Sequence, residues 1–508
     1  MRNTSPEQVY RRRIRAWALY DWADHGYVTV TATTFFPPYF VAVAAPAFAV
    51  GADAARARDT ASNVYALAVS LALLAVAALA PIIGTIADIT GRRKRILLVT
   101  TGFGAAVASA MIAVTSGRWV LALALYVASQ IAVNVALGLN SSLLPHLARP
   151  GDLDRASALG YAMGYVGGGL LLAIATAAYL FAAPNGVTQE LVVRVAFLAV
   201  GAWWMGFAVP LARSVPEPPA APLAHGGTGG AARDAFVRLR RTLRDLRERR
   251  ELFTMLLAFW LYMEGIGAII LLATAYGAAL GLPTAALTGT LLLTQFVAFP
   301  YALVLGRVPD PTSTARGRAL AMVLWTAATL PLLGAYANPR PGLGVGPALT
   351  MIAADQILGL AFARALGDTL FERLARRLDT RGAIILGLGV YAIIPVWGFF
   401  LRTQAEFFLI GVLVGSVQGG TQALSRALYA TLAPRAKSGE FFGLYALSEK
   451  FAGILGPLLY AVVGQLTHNP RASILSVAVF LVLGAVVLAR VDVETGAASA
   501  AAENATPG

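Results

Sequence analysis

Asp21, Asp24 and His25 stand close together in a long apolar run that begins at Trp17, and Glu264 and Lys450 are just as isolated in later apolar stretches. In water such side chains need no explanation. At membrane depth each costs several kcal/mol unless it faces a polar interior or a partner. Three chemistries suit them. A carboxylate such as Glu264 can exchange a proton, His25 titrates near neutral pH, and Lys450 attracts an anionic or carboxylate-bearing solute. Asp21 and His25 are one helical turn apart and can pair. At 1.5 Å rise per residue, Asp24 lies about 12 Å, Glu264 about 18 Å and Lys450 about 15 Å into its helix. Tyr20, Gln295, Gln418 and Gln422 add neutral hydrogen-bonding groups. The plainer reading is structural: interhelical hydrogen bonds of about 0.6 kcal/mol each. In that reading His25 is a packing residue and Asp21 only sets the entry of the first helix. Arg426, near a helix end, reads as snorkelling to the interface, and Asp355 and Arg364 can pair with each other.

Other chemistries are excluded. The chain has no cysteine and four histidines without a close-spaced pair, so no metal site, thiol chemistry or cofactor is expected. No nucleophile and base fall together, which argues against an enzyme. The net charge of +14 and pI near 10.2 could suggest nucleic acid. However, the basic residues sit in short clusters between apolar runs, an arrangement suited to anionic lipid head groups and not to nucleic acid.

The elements that position these groups must be membrane helices. Of 508 residues, 58% are hydrophobic and 13% charged, and the mean hydropathy is +0.68; soluble domains are about 25% charged. A crossing needs about 20 apolar residues. Such runs fall near 17–43, 62–87, 96–114, 119–140, 156–182 and 190–212, then near 252–280, 285–305, 318–336, 345–368, 382–401, 406–428, 440–466 and 471–491. With both termini inside, roughly 29 of the 40 Lys and Arg lie on the inner side, as the positive-inside rule requires. Residues 1–16 form a basic cytoplasmic arm. The apolar run after it is too long for a signal peptide and reads as an uncleaved first span. Residues 213–251 are a linker whose Phe236, Leu239, Leu243 and Leu246 recur at helical spacing among arginines, giving either an amphipathic basic helix on the membrane or a solvated spacer. The tail 492–508 is small and polar and reads as disordered.

Two weak repeats divide the chain. Leu19-Tyr20 recurs as Leu261-Tyr262, and Leu147-Ala148 with Gly160-Tyr161-Ala162 recurs as Leu432-Ala433 with Leu444-Tyr445-Ala446. The second offset exceeds the first by about 43 residues, the length of two membrane helices with their turns. The reading is a six-helix bundle, 17–212, and a second bundle, 252–491, with a hairpin inserted near 318–368: 6 + 8 spans, about 14 in all.

The loop between the second and third spans reads Gly84-Thr85-Ile86-Ala87-Asp88-Ile89-Thr90-Gly91-Arg92-Arg93-Lys94-Arg95, with Arg92 placed at i+4 to pair with Asp88. It resembles the major facilitator superfamily loop motif, in which acid and base latch the cytoplasmic gate; Gly84, Asp88, Gly91, Arg92 and Arg93 carry the match. The equivalent loop, Gly306-Arg307-Val308-Pro309-Asp310, keeps the Gly and the Asp. Trp17-Ala18-Leu19-Tyr20-Asp21-Trp22-Ala23, Gln418-Gly419-Gly420-Thr421-Gln422 and Glu440-Phe441-Phe442-Gly443-Leu444-Tyr445 resemble the vacuole-effluxer (autophagy-related) branch. Asp24-His25 and Glu264 stand where that branch usually has Asn-Ser and Asp.

The resemblance implies an all-α polytopic fold of two pseudo-symmetric bundles, with the first, fourth and fifth helices of each half lining a central cavity. It also implies a carrier whose fungal members are associated with moving amino acids out of the vacuole. The expected function is a proton-coupled, alternating-access transporter of a small polar solute in the plasma (inner) membrane, working in the efflux direction. Tyr20, Asp21, Asp24, His25, Glu264, Gln418, Gln422 and Lys450 form its pathway, and the expected partners are a solute, protons and anionic lipids. A monomer suffices for this. The rival readings are a membrane scaffold or sensor that keeps the fold without transport, and a lipid-acting enzyme.

Overall fold

Hydrocarbon offers the backbone no hydrogen bonds, so a chain this apolar must satisfy its amides within helices. The computed structural model describes residues 5–49, 53–220, 244, 246, 249–451 and 453–505, and the side chains of Thr284, Lys450 and Phe451 fall outside that description. Among the described residues the structure is helical throughout, with no strand. In the first half the helices are α1 (Pro6–Phe48), α2 (Ala54–Thr90), α3 (Arg93–Ala113), α4 (Trp119–Leu147), α5 (Pro150–Asn185) and α6 (Gln189–Ser214). In the second they are α7 (Arg250–Ala279), α8 (Ala285–Arg307), α9 (Arg316–Ala337), α10 (Val345–Ala375), α11 (Thr380–Phe400) and α12 (Gln404–Leu432). They continue with α13 (Ser438–Phe451), α14 (Leu455–Thr467), α15 (Pro470–Leu488) and α16 (Val493–Ala505).

Thirteen of these are long and apolar enough to cross a membrane. The expected single helix over 440–466 is instead two pieces, α13 and α14, so a fourteenth crossing would have to be assembled from both. Two further expectations change. The first helix begins at Pro6, well before Trp17, because Ser5 and Gln8 form a reciprocal cap: the Gln8 N–H donates to Ser5 Oγ at 3.3 Å and the Ser5 N–H to Gln8 Oε1 at 3.0 Å. The tail expected to be disordered carries α16, which is docked: Glu503 pairs with Arg249 and Lys437, and the Arg435 N–H donates to Asn504 Oδ1 at 2.9 Å. Composition alone missed these tertiary partners. Most of the linker expected over 213–251, its amphipathic segment included, lies outside the described residues.

α1 widens into a π-helical stretch at Tyr27–Phe35. Pro37 and Pro38, just beyond, donate no N–H back into it, and within it the Thr33 and Thr34 hydroxyls donate to the carbonyls of Val28 and Thr29, each at 2.8 Å. The lipid-facing side is apolar at helical spacing, as at Leu67, Leu71 and Leu74 on α2, all exposed.

The halves follow one plan. Leu147-Ala148 and Leu432-Ala433 both close a helix on an extended Ala and lead through a short 3₁₀ turn into the next helix. The helical hairpin α9–α10 lies against α12, which is buried along nearly its whole length. Asp355 serves this hairpin and does not pair with Arg364. It accepts the Trp325 indole N–H at 3.1 Å and the Gln356 amide at 2.9 Å, while Arg364 is exposed. The bundles meet through α2 and α4 against α13, and through α5 against α8 and α12.

Candidate functional site

The seam between the halves is polar in layers, beginning at the face that carries both described termini. The outermost layer is the loop after α2. Gly91 ends that helix in the left-handed region, φ 62°, and α3 restarts at Arg93. This turn carries Arg92 out to solvent and folds the following arginine under Asp88: Arg93 Nε donates to Asp88 Oδ1 at 2.6 Å, both side chains fully buried. The expected i+4 partner is therefore replaced by the i+5 residue, because the helix stops between them. Asp88 also accepts the N–H groups of Gly439 and Glu440 at the start of α13, each at 2.9 Å. A carboxylate there complements the partial positive charge of the helix N-terminus. Arg93 reaches the Ala436 carbonyl at 3.2 Å, so one acid–base pair ties the first half to the second. The contact requires glycine at 84: a Cβ there would lie 2.1 Å from the Gly439 carbonyl oxygen. Behind the loop Glu217 accepts the N–H groups of Lys94 and Arg95 at 2.6 and 3.2 Å, capping α3.

The second layer joins α1, α4, α5 and α12. Arg426 is 4% exposed, and both its Nη atoms donate to Asp21 Oδ2 at 3.0 Å. Its Nε donates to Ser157 Oγ at 2.9 Å and Nη2 to the Ser157 carbonyl at 3.0 Å. The other Asp21 oxygen accepts the Asn140 amide at 2.7 Å, and the guanidinium lies 4.4 Å from the Tyr161 ring centroid and 4.8 Å from that of Trp17. Arg426 thus does not snorkel. Its partners lie across the seam, and reaching water would strand the buried Asp21 carboxylate. For the same reason Asp21 does not pair with His25.

The third layer is deeper. His25 Nδ1 lies 3.0 Å from Asp24 Oδ1; Asp24 is fully buried, while 18% of the His25 side chain stays open. Asp24 Oδ2 has no partner among the described residues. The imidazole faces Tyr161 and Tyr165, with ring centroids at 6.2 and 5.8 Å. The Tyr165 hydroxyl crosses the seam to Gln422 Oε1 at 2.8 Å, next to the buried Gln418.

A match to the family described as "Vacuole effluxer Atg22 like" extends over residues 10–360 and 349–501. The chain belongs to this family. Among the relatives of this Atg22-like chain, the "Uncharacterized MFS-type transporter YxiO" of Bacillus subtilis is 29% identical over 507 residues, 98% of this chain and 99% of that one. Autophagy-related protein 22 of Kluyveromyces lactis is 31% identical over 156 residues, 29% of this chain and 31% of that one. Among solved structures, the proton:xylose symporter XylE superposes with a TM-score of 0.59 at 12% identity, covering 95% of each chain. The transporter FucP gives 0.55 at 10% identity, covering 95% of this chain and 98% of that one. The fold is that of the major facilitator superfamily, and the chain is a multi-pass integral membrane protein whose kinship is with transporters and not enzymes.

Within this Atg22-like chain the expected site residues separate into three groups. Asp21, Asp24, His25, Gln418 and Gln422 come together at the seam. Tyr20 does not: its hydroxyl lies inside the first bundle, 2.6 Å from Thr101 Oγ1 and 3.3 Å from the Trp204 indole nitrogen. Glu264 is also elsewhere. It sits where α13 breaks from α14, accepting the Gly456 N–H at 2.8 Å at the start of α14, while its Oε1 has no partner among the described residues. The side chain of Lys450 lies outside the described residues. Asn140, Ser157, Tyr161 and Tyr165 were missed as site residues. The available signals were an amide in an apolar helix and two tyrosines four apart on a glycine-rich one.

Proposed function

We propose that this transporter moves a small polar solute, an amino acid or another carboxylate-bearing metabolite, out of the cytoplasm across the plasma (inner) membrane, coupled to protons by alternating access. Both termini are cytoplasmic in this reading, and the conformer at hand is closed on that side. The observation that carries it is the buried charge at the seam. Asp21 and Asp24 supply two carboxylates against one permanent cation, Arg426, with His25 beside Asp24. One proton shared by Asp24 and His25 balances the set, and membrane depth favours balance. His25 is the member of the pair still open to the space beyond. Opening the seam exposes Asp21 and Arg426, loads or unloads that proton, and frees Tyr161, Tyr165, Gln418 and Gln422 to hydrogen-bond a solute. Arg426, once released from Asp21, is the cation for a carboxylate. Lys450, two residues before the α13 break, is a second candidate for that role.

Glu264 fits a different role. Its carboxylate faces the N-terminus of α14, where negative charge is stabilised, so it holds the broken helix in place and the proton exchange belongs to Asp24 and His25.

The test is counterflow of labelled amino acids and carboxylates in proteoliposomes, with and without a pH gradient. Wild type is driven by the gradient, and Asp24→Asn exchanges solute without responding to it. A gradient-insensitive wild type removes the proton coupling. No counterflow of any solute favours the scaffold or sensor reading.

A further inference from the structure

α1 and α6 leave an open groove of about 480 Å³ at the terminal face, away from the seam. Its outer rim is cationic: Arg11, Arg12 and Arg15 line it from α1, and Gln8 and Ser214 add hydrogen-bonding groups. Arg11 is held by Glu7 at 2.8 Å, while Arg12 and Arg15 are exposed and form no ion pair among the described residues. The wall turns apolar with depth, through Leu19 and Pro210. One turn further along the same two helices, Trp22 and Phe207 pack with ring centroids 5.6 Å apart, and Trp203 stacks on Trp22 at 6.1 Å. Beyond the groove α6 presents exposed Leu198, Met205 and Val209.

We infer that this groove is a binding site for one anionic phospholipid. Its phosphate is gripped by Arg12 and Arg15, and an acyl chain lies over Leu19 and Pro210 along the exposed face of α6. Charge complementarity selects the head group. The guanidinium fork suits phosphate oxygens, and the site has two cations without a counter-ion among the described residues. The change from cationic to apolar within one groove selects a lipid over a soluble phosphate, which would leave the lower wall bare. α1 also carries Asp21 and α6 leads into Glu217, so an occupied groove holds together the two helices that flank both acid–base pairs.

The experiment uses the full chain in phosphatidylcholine nanodiscs, titrated with phosphatidylglycerol, with bound lipid counted by native mass spectrometry. Wild type retains phosphatidylglycerol in preference to phosphatidylcholine. In Arg12→Gln/Arg15→Gln that preference falls roughly five-fold for each arginine removed. In Arg56→Gln/Arg58→Gln, at the far end of α2, it is unchanged. An unaltered preference in the first variant, or an equal loss in the second, overturns the site. Full displacement of phosphatidylglycerol by inorganic phosphate at millimolar concentration also overturns it, since it would mark a site for free anions.

Discussion

Arg426→Gln is the most informative perturbation of the seam. The wild-type side chain donates four hydrogen bonds, two to the Asp21 carboxylate and two to Ser157, and all cross between the bundles. Removing one member of a buried ion pair costs about 3–5 kcal/mol, because the other charge is left stranded. Glutamine keeps one amide donor, so the lower end applies, and Asn140 still serves the other Asp21 oxygen. In the alternating-access reading the cost falls on the closed conformer, where Arg426 meets Asp21 and Ser157. About 3 kcal/mol is roughly a hundred-fold shift in the closed-to-open ratio. The absence of native cysteines makes the assay clean: spin labels on Arg95→Cys and Arg377→Cys, both exposed, report the separation of the halves at the terminal face. Wild type should give the short distance, and Arg426→Gln a dominant longer one. Asp21→Asn/Arg426→Gln should recover part of the short population, because no carboxylate is then stranded. If Arg426→Gln keeps the wild-type distances, the pair is not a gate and the alternating-access reading of the seam is wrong.

Gly84→Ala would place a Cβ 2.1 Å from the Gly439 carbonyl oxygen, an overpacking cost of about 1–3 kcal/mol borne by the closed conformer; the same spin-label pair should lengthen while the purified protein stays monodisperse. Glu264→Gln keeps an acceptor for the Gly456 N–H and should lose about 0.5–1 kcal/mol of stability with gradient-driven counterflow intact. Thermal unfolding and the proteoliposome assay check both halves of that statement, and loss of coupling would return the proton to Glu264. At Glu503 burial pushes the carboxyl up, but the Arg249 hydrogen bond and the Lys437 charge outweigh it and hold it below the ordinary value. Its folded pKa is thus depressed, so its contribution to docking α16 is present above the unfolded pKa and is lost as pH falls through the lower, folded one. Hydrogen exchange of residues 493–505 should stay slow from neutral pH into the mildly acid range and quicken below it, and in Glu503→Gln it should be fast already at neutral pH.

The amino-acid sequence by itself determined the solvent and the class of fold. Apolar run length is a property of consecutive residues, and hydrocarbon allows a chain of such runs only helices. That Asp88, between Gly84 and Gly91, takes a base from the loop after it was legible for a similar reason: a helix end, a turn and a nearby base are local. Its true partner was not, because one left-handed glycine decides whether Arg92 or Arg93 turns inward. What only the tertiary structure decided is which polar groups meet across the seam. Asp21 and Arg426 are 405 residues apart, and Tyr165 and Gln422 are 257 apart; no periodicity carries that information. The same limit explains Tyr20 and Glu264. Depth along a helix follows from counting residues, but the neighbour a side chain faces depends on how helices rotate and pack, and packing is set by the shapes of all of them together.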